Sequence, residues 1–105
     1  MGNVESRQRV LFLEMDNSAR SQMAEGLLRH LAGDRYDAYS AGPFPVPVRP
    51  EAVAVMREIG IDISTQGSKL TTGYLGQQFD AVFAVCDGDT EPCPVFPGGT
   101  TCWPI

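Results

Sequence analysis

The chain has 105 residues, 43% apolar and 20% charged, with 13 acidic against 8 basic residues and a net charge of −5. That describes one folded domain over 1–105 and excludes a general nucleic-acid binder, which needs a basic stripe to neutralise phosphates. No apolar run approaches the roughly 20 residues of a membrane span, and an acidic chain gains nothing at an anionic membrane surface.

Residues 1–8 are polar and read as a frayed tail or a tag. Met1-Gly2 with Ser6 fits a loose myristoylation pattern, taken here as coincidence in a chain without a basic patch. Val10 to Leu13 is a short apolar run of the kind that forms a buried strand, placed at 9–13. A polar turn, Glu14 to Ser18, feeds a helix over 19–32, with Ser18 or Asn17 as its cap. Met23, Leu27 and Leu31 make one stripe on that helix, widened by Ala24 and Leu28 into an expected core face. Gly33 and Asp34 end it.

Tyr36 to Ser40 is a second strand. Residues 43–50, PFPVPVRP, hold four prolines in eight residues and predict an extended loop without a ladder. Pro50 opens a second helix with Ala52, Val55, Met56 and Ile59 as its inner face, closed by Gly60 with Ile61 packing back. Ile61 and Ile63 form an extended piece over the core, 65–69 a polar loop and 71–77 a short helix. Ala81 to Val85 is a third strand, and 100–103 a short fourth. Alternating strands and helices predict an α/β layer with a parallel sheet and right-handed crossovers, binding at the edge where the strands end.

The turn between the first strand and first helix is the strongest candidate site. The first N–H groups of a helix lack partners within it, and the dipole there favours negative charge. Arg20, a cation in the first turn, is electrostatically misplaced unless an anion lies between it and the backbone. A solvent-exposed arginine is the plainer reading. Glu14-x-Asp16 at a strand end also matches, weakly, the carboxylate pair that holds magnesium in aspartate-nucleophile phosphatases. Asp87, Asp89 and Glu91 would be its further ligands. Zinc held by the three cysteines with His30 fits less well, since His30 sits beside Leu31 and reads as outward-facing.

Several blocks carry a resemblance: VLFLEMDNSARSQMAEGLLRHLAG from Val10, YSAG at 39–42, VMREIGIDIS at 55–64, FDAVFAVCD at 79–87 and CPVFPG at 93–98. Together they resemble the thioredoxin-coupled arsenate reductases, which share the low-molecular-weight protein tyrosine phosphatase fold. The resemblance implies a three-layer sandwich with strand order 2-1-3-4. It also implies an oxyanion-binding loop of Glu14, Met15, Asp16, Asn17, Ser18, Ala19 and Arg20, supported by Ser21 and Ser40. Arsenate, phosphate or sulfate would be its ligand and thioredoxin the partner. A potassium site near Asn17 and Ser40 follows from the resemblance as well; the residues themselves point to no cofactor.

Two departures stand out. The family loop opens on a nucleophilic cysteine where this chain has Glu14, and the family chain continues past the position of Ile105 through an Asp-Pro segment and a last helix. A carboxylate cannot be oxidised or exchange thiols. Glu14 is therefore expected to lie in the N–H nest against Arg20 as a built-in anion, with Asp16 adding charge that repels dianions. A Glu14 pointing to solvent beside a collapsed loop is the plain alternative.

Cys86 and Cys93 fall on the resolving pair of the resembled reductases and are expected to bond to each other, leaving Cys102 free. Three cysteines without a secretion signal read as cytoplasmic. The leading expectation is a family pseudoenzyme with a residual oxyanion loop. The alternatives are an active reductase or phosphatase using Glu14 or Cys86/Cys93, and a non-enzymatic oxyanion-sensing or oligomeric module. Without the last family segment, Val82 and Val85 are expected to lose cover and the chain to self-associate as a homo-oligomer.

Overall fold

The computed structural model describes residues 7–86 and 94–104, the last three through their backbone. Four strands, β1 (Gln8–Leu13), β2 (Tyr36–Ala41), β3 (Ala81–Cys86) and β4 (Thr101–Pro104), alternate with helices α1 (Arg20–Ala32) and α2 (Pro50–Glu58). The sheet is wholly parallel in the order β2-β1-β3-β4, as the resemblance implied. Leu13 sits opposite Ala41 on one side and Ala84 on the other, so the chain leaves β1, β2 and β3 at one edge.

Side chains alternate across the pleat. Leu11, Leu13, Ala41, Val82 and Ala84 fill one face together with Phe96. Tyr39, Tyr74, Phe79 and Phe96 cover it in a chain of edge-to-face ring contacts, centroids 5.6–6.0 Å apart. Tyr74 closes a 3-10 turn over Thr71–Tyr74, where a short helix to residue 77 was expected. The opposite face carries α1, tied to β2 by Arg29 donating to the Ala38 carbonyl and Ser40 donating to Glu25. Beyond α1, α2 and the 61–63 piece pack against Ala19 and Met23. The end of α2 is a full Schellman motif: Gly60, at φ 81°, donates to Arg57 and Ile61 to Met56.

Three packing expectations are corrected. The inward face of α1 is not its leucine stripe, since Leu31 is 71% exposed and Leu27 is also exposed, while Ser21, Gln22, Glu25 and Gly26 are buried. Gly26 explains part of this: a Cβ there would meet Ile63 Cγ2 at 2.5 Å, so α1 turns its smallest residue to the 61–66 segment. On α2, Ala52 and Met56 are buried but Val55 and Ile59 are exposed. Val82 and Val85 are both buried; large apolar side chains stand open instead on α1, on α2 and in the loops, Leu31, Ile59 and Phe44 among them.

Candidate functional site

The edge where β1 ends is built around one sharp turn. Glu14 still pairs with β2, donating its N–H to the Ala41 carbonyl, and its own carbonyl accepts from Asn17 N–H. Asn17 is fully buried with φ 48°, a left-handed conformation that asparagine adopts more readily than other non-glycine residues. Its side chain donates to Ser21 Oγ at 2.8 Å and accepts from Gln22 and from the Lys69 backbone. Gly42 lies against this turn so closely that a Cβ would stand 2.1 Å from the Glu14 carbonyl oxygen.

The turn aims three successive N–H groups at one point, and the Glu14 carboxylate lies there. Oε1 accepts from Ala19 N–H at 3.2 Å, Ser21 N–H at 3.1 Å and Ser21 Oγ at 2.9 Å. Oε2 accepts from Arg20 N–H at 3.3 Å and Arg20 Nε at 2.9 Å. The side chain is 4% exposed against 30% for Arg20. Burial pushes the Glu14 carboxyl up, but the hydrogen bonds from Ser21, Arg20 and Ala19 outweigh it and hold the group below the ordinary carboxylate range. Glu14 also replaces the expected cap: Ala19 is the N-cap residue and neither Ser18 nor Asn17 caps the helix through its side chain.

Asp16 does not share the nest. Its Oδ1 accepts from Ser18 Oγ at 2.8 Å and its Oδ2 faces Arg49 Nη2 at 3.7 Å, so its charge is met outside the loop. The magnesium reading fails on the same geometry, because N–H donors and a guanidinium surround the Glu14 oxygens and would repel a cation. Among the described residues no cluster could hold a metal ion. Met15 is half-buried, and its carbonyl and that of Asp16 accept from Phe44 and Val46 N–H, while Arg49 N–H donates to Ser18. The proline segment, expected to run without a ladder, is therefore laced to the loop at its non-proline residues.

Ser21 touches the anion directly, whereas Ser40 does not reach the loop and donates to Glu25 Oε1 at 2.6 Å. Nor do the groups near Asn17 and Ser40 fit a potassium ion. Asn17 Oδ1 is taken by Gln22 and Lys69 N–H, and the Lys69 ammonium already stands 3.4 Å from Glu25 Oε1. Cys86 is buried, leaves the sheet at the same edge and takes part in a disulfide. Cys93, the Cys102 side chain and the acidic residues at 87, 89 and 91 lie outside the described residues.

Sequence reasoning passed over Arg49, Gln22, Glu25, Gln66, Ser68 and Lys69. Gln22 donates to Asn17 and Gly67, Gln66 to Gln22, and Ser68 to the Asn17 carbonyl, so these residues fix the loop from behind. For Gln22 and Glu25 the sequence signal was the polar run Ser21, Gln22, Glu25 and Arg29 along a helix face; Arg49, Gln66, Ser68 and Lys69 carried none.

A separate cleft of about 600 Å³ opens at the far edge, lined by Arg9, Gln77, Phe79, Asp80 and Phe96. Arg9 there is committed to the Gln78 carbonyl and Gln77, and stacks on Tyr39 and Phe79.

The fold and this turn define an α/β protein with an anion cradle between the first parallel strand and the helix that follows. The family model for low molecular weight phosphotyrosine protein phosphatases matches residues 9–101, and the chain belongs to that family. Its relatives include arsenate reductases. It is 40% identical over 91 residues to arsenate reductase 2 of Staphylococcus saprophyticus, covering 87% of this chain and 70% of the relative. It is 46% identical over 88 residues to the arsenate reductase of Halalkalibacterium halodurans, covering 84% of this chain and 63% of that one. Among solved structures, an arsenate reductase in the phosphate binding state superposes with a TM-score of 0.78 at 31% identity, covering 91% of this chain and 75% of the other. The thioredoxin-dependent arsenate reductase of Corynebacterium glutamicum gives 0.77 at 33% identity, over 94% of this chain and 50% of its own. Among the described residues no helix is long and apolar enough to cross a membrane.

Proposed function

We propose that this is a non-catalytic member of the arsenate reductase branch, whose oxyanion loop is filled by its own Glu14 carboxylate at the position of the family nucleophile. One observation carries the reading: the N–H groups of Ala19, Arg20 and Ser21, with Arg20 Nε and Ser21 Oγ, all donate to that carboxylate. One structural relative is an arsenate reductase in a phosphate binding state, and a carboxylate with delocalised charge is the side-chain group closest to such an oxyanion. Glu14 can form neither a sulfur–arsenic bond nor a disulfide, so a relay started at residue 14 has no first step. Cys86 and Cys93 stand at the family's resolving positions with nothing from residue 14 to resolve; the disulfide that Cys86 carries is the bond a thioredoxin-type protein would reduce, in the cytoplasm.

The test has two arms. The protein as it stands should turn over neither arsenate with thioredoxin nor an aryl phosphate; measurable turnover of either overturns the proposal. Glu14→Cys should place a thiol among the same donors, with a pKa well below the free value of about 8.5. Fast iodoacetamide labelling at residue 14 and arsenate or sulfate binding should follow, and both should be lost with Arg20→Ala. A Glu14→Cys protein that labels like a free thiol and binds no oxyanion would mean that the cradle exists only with Glu14 in it.

A further inference from the structure

Behind the loop lies a second buried carboxylate that the proposed function leaves unused. Glu25, on the inner face of α1, is 5% exposed. A charge so deep needs compensation, since an uncompensated buried ion is strongly destabilising. Its two oxygens are served separately. Oε2 pairs with Arg29 Nη2 at 2.5 Å, and Arg29 is half-exposed. Oε1 accepts from Ser40 Oγ at 2.6 Å and faces Lys69 Nζ at 3.4 Å. The same ammonium donates to the Gly67 carbonyl at 2.5 Å.

Lys69 is the only lysine in the chain. Its backbone is stitched to the loop on both sides: its N–H donates to Asn17 Oδ1 at 2.8 Å and its carbonyl accepts from Gly42 N–H at 2.9 Å. The side chain therefore starts from a fixed point and reaches a carboxylate oxygen and a backbone carbonyl. Oxygens of this kind, one charged and one neutral, are what a hard monovalent cation takes as ligands.

We propose that the Lys69 ammonium is the protein's internal monovalent cation. It makes the fold indifferent to potassium, and its removal leaves an exchangeable monovalent-cation site on Glu25 Oε1 and the Gly67 carbonyl. The charge is covalently held, so the support behind Asn17 and Gly42 does not vary with the ionic medium. The inference is independent of what Glu14 does.

Thermal unfolding of the full chain in potassium, sodium and choline chloride at equal ionic strength tests it. The unsubstituted protein should give midpoints within about 1 °C of each other, because a ligand without a site shifts nothing. Lys69→Ala in choline should melt roughly 5–10 °C lower, less than for a fully buried pair, because Lys69 is 30% exposed and Glu25 keeps Arg29 and Ser40. Potassium or sodium chloride should restore part of that loss with a saturating dependence. Lys69→Arg should keep the unsubstituted behaviour, and Lys69→Ala with Glu25→Gln should lose the cation response. If Lys69→Ala is unfolded in choline, refolding on adding potassium chloride, followed by circular dichroism, reads the same event. A saturable potassium response in the unsubstituted protein, or none of any monovalent cation on Lys69→Ala, overturns the proposal.

Discussion

Glu14→Gln changes one oxygen into an NH2 group and leaves shape and volume almost untouched, so its effect isolates the donor cradle. The amide oxygen can still take the Oε1 position and accept from Ala19 N–H, Ser21 N–H and Ser21 Oγ. The amide nitrogen must then stand where Oε2 accepted from Arg20 N–H and Arg20 Nε, donor against donor. Arg20 is 30% exposed, so water can re-solvate Nε in part, but the backbone N–H beneath a 4% exposed side chain has no such relief. An unsatisfied buried donor costs about 1–3 kcal/mol, and a lost charge-assisted bond about 1.5–3 kcal/mol before solvent screening is allowed for. The expected loss is about 2–3 kcal/mol, or a fall in Tm of roughly 10–20 °C for a domain of this size. Urea unfolding of both proteins at pH 7 measures it. Adding sulfate should not help Glu14→Gln, whose amide still fills the nest, but should raise the Tm of Glu14→Ala, where the nest is vacated. A Glu14→Gln protein within about 0.5 kcal/mol of the unsubstituted one, a shift ordinary for surface changes, would refute the cradle.

The Glu14 carboxyl, held below its ordinary value near 4.5, contributes stability that is fully present above that pH and lost as pH falls through its folded pKa; acid titration of stability should show this component, and Glu14→Gln should lack it. Gly42→Ala would press a methyl 2.1 Å from the Glu14 carbonyl and 2.8 Å from that of Met15, so the turn must open; the variant should lose at least about 3 kcal/mol and, combined with Glu14→Cys, abolish fast labelling at residue 14. Leu27 and Leu31 leave apolar surface open on α1, and sedimentation at several concentrations should show reversible self-association that Leu31→Glu reduces; a monomer at every concentration would count against it.

What was legible in the sequence was whatever the chain states locally. The apolar runs at 10–13 and 81–85 read as buried strands because nothing else suits a four- or five-residue run of that composition. Arg20 was legible as an anomaly: a cation in a helix's first turn needs an anion, and the structure supplies one from six residues earlier. The inner face of α1 was misread for the opposite reason. Its leucines have the right period, yet the buried arc carries Gln22 and Glu25, whose partners at Ser40, Gly67 and Lys69 are distant in sequence. No single-helix periodicity can register hydrogen bonds formed 15 to 45 residues away. Asp16 was misjudged because charge was counted without direction; Ser18 and Arg49 turn it out of the nest.

The segment at 43–49 has a consequence for association. Its N–H groups at Phe44 and Val46 point inward to the carbonyls of Met15 and Asp16, and the alternating positions 43, 45 and 47 are all proline. In an extended chain successive N–H groups face opposite sides, so the outward side of this segment has no donors at those positions. A stretch of peptide arriving from another molecule finds carbonyls but no complementary N–H row to complete a ladder, and cannot extend the segment as a strand. The spacing also imposes a parity rule on insertions and deletions. Losing two residues shortens the segment with donors still inward, while losing one turns prolines toward the loop and strips Met15 and Asp16 of their partners.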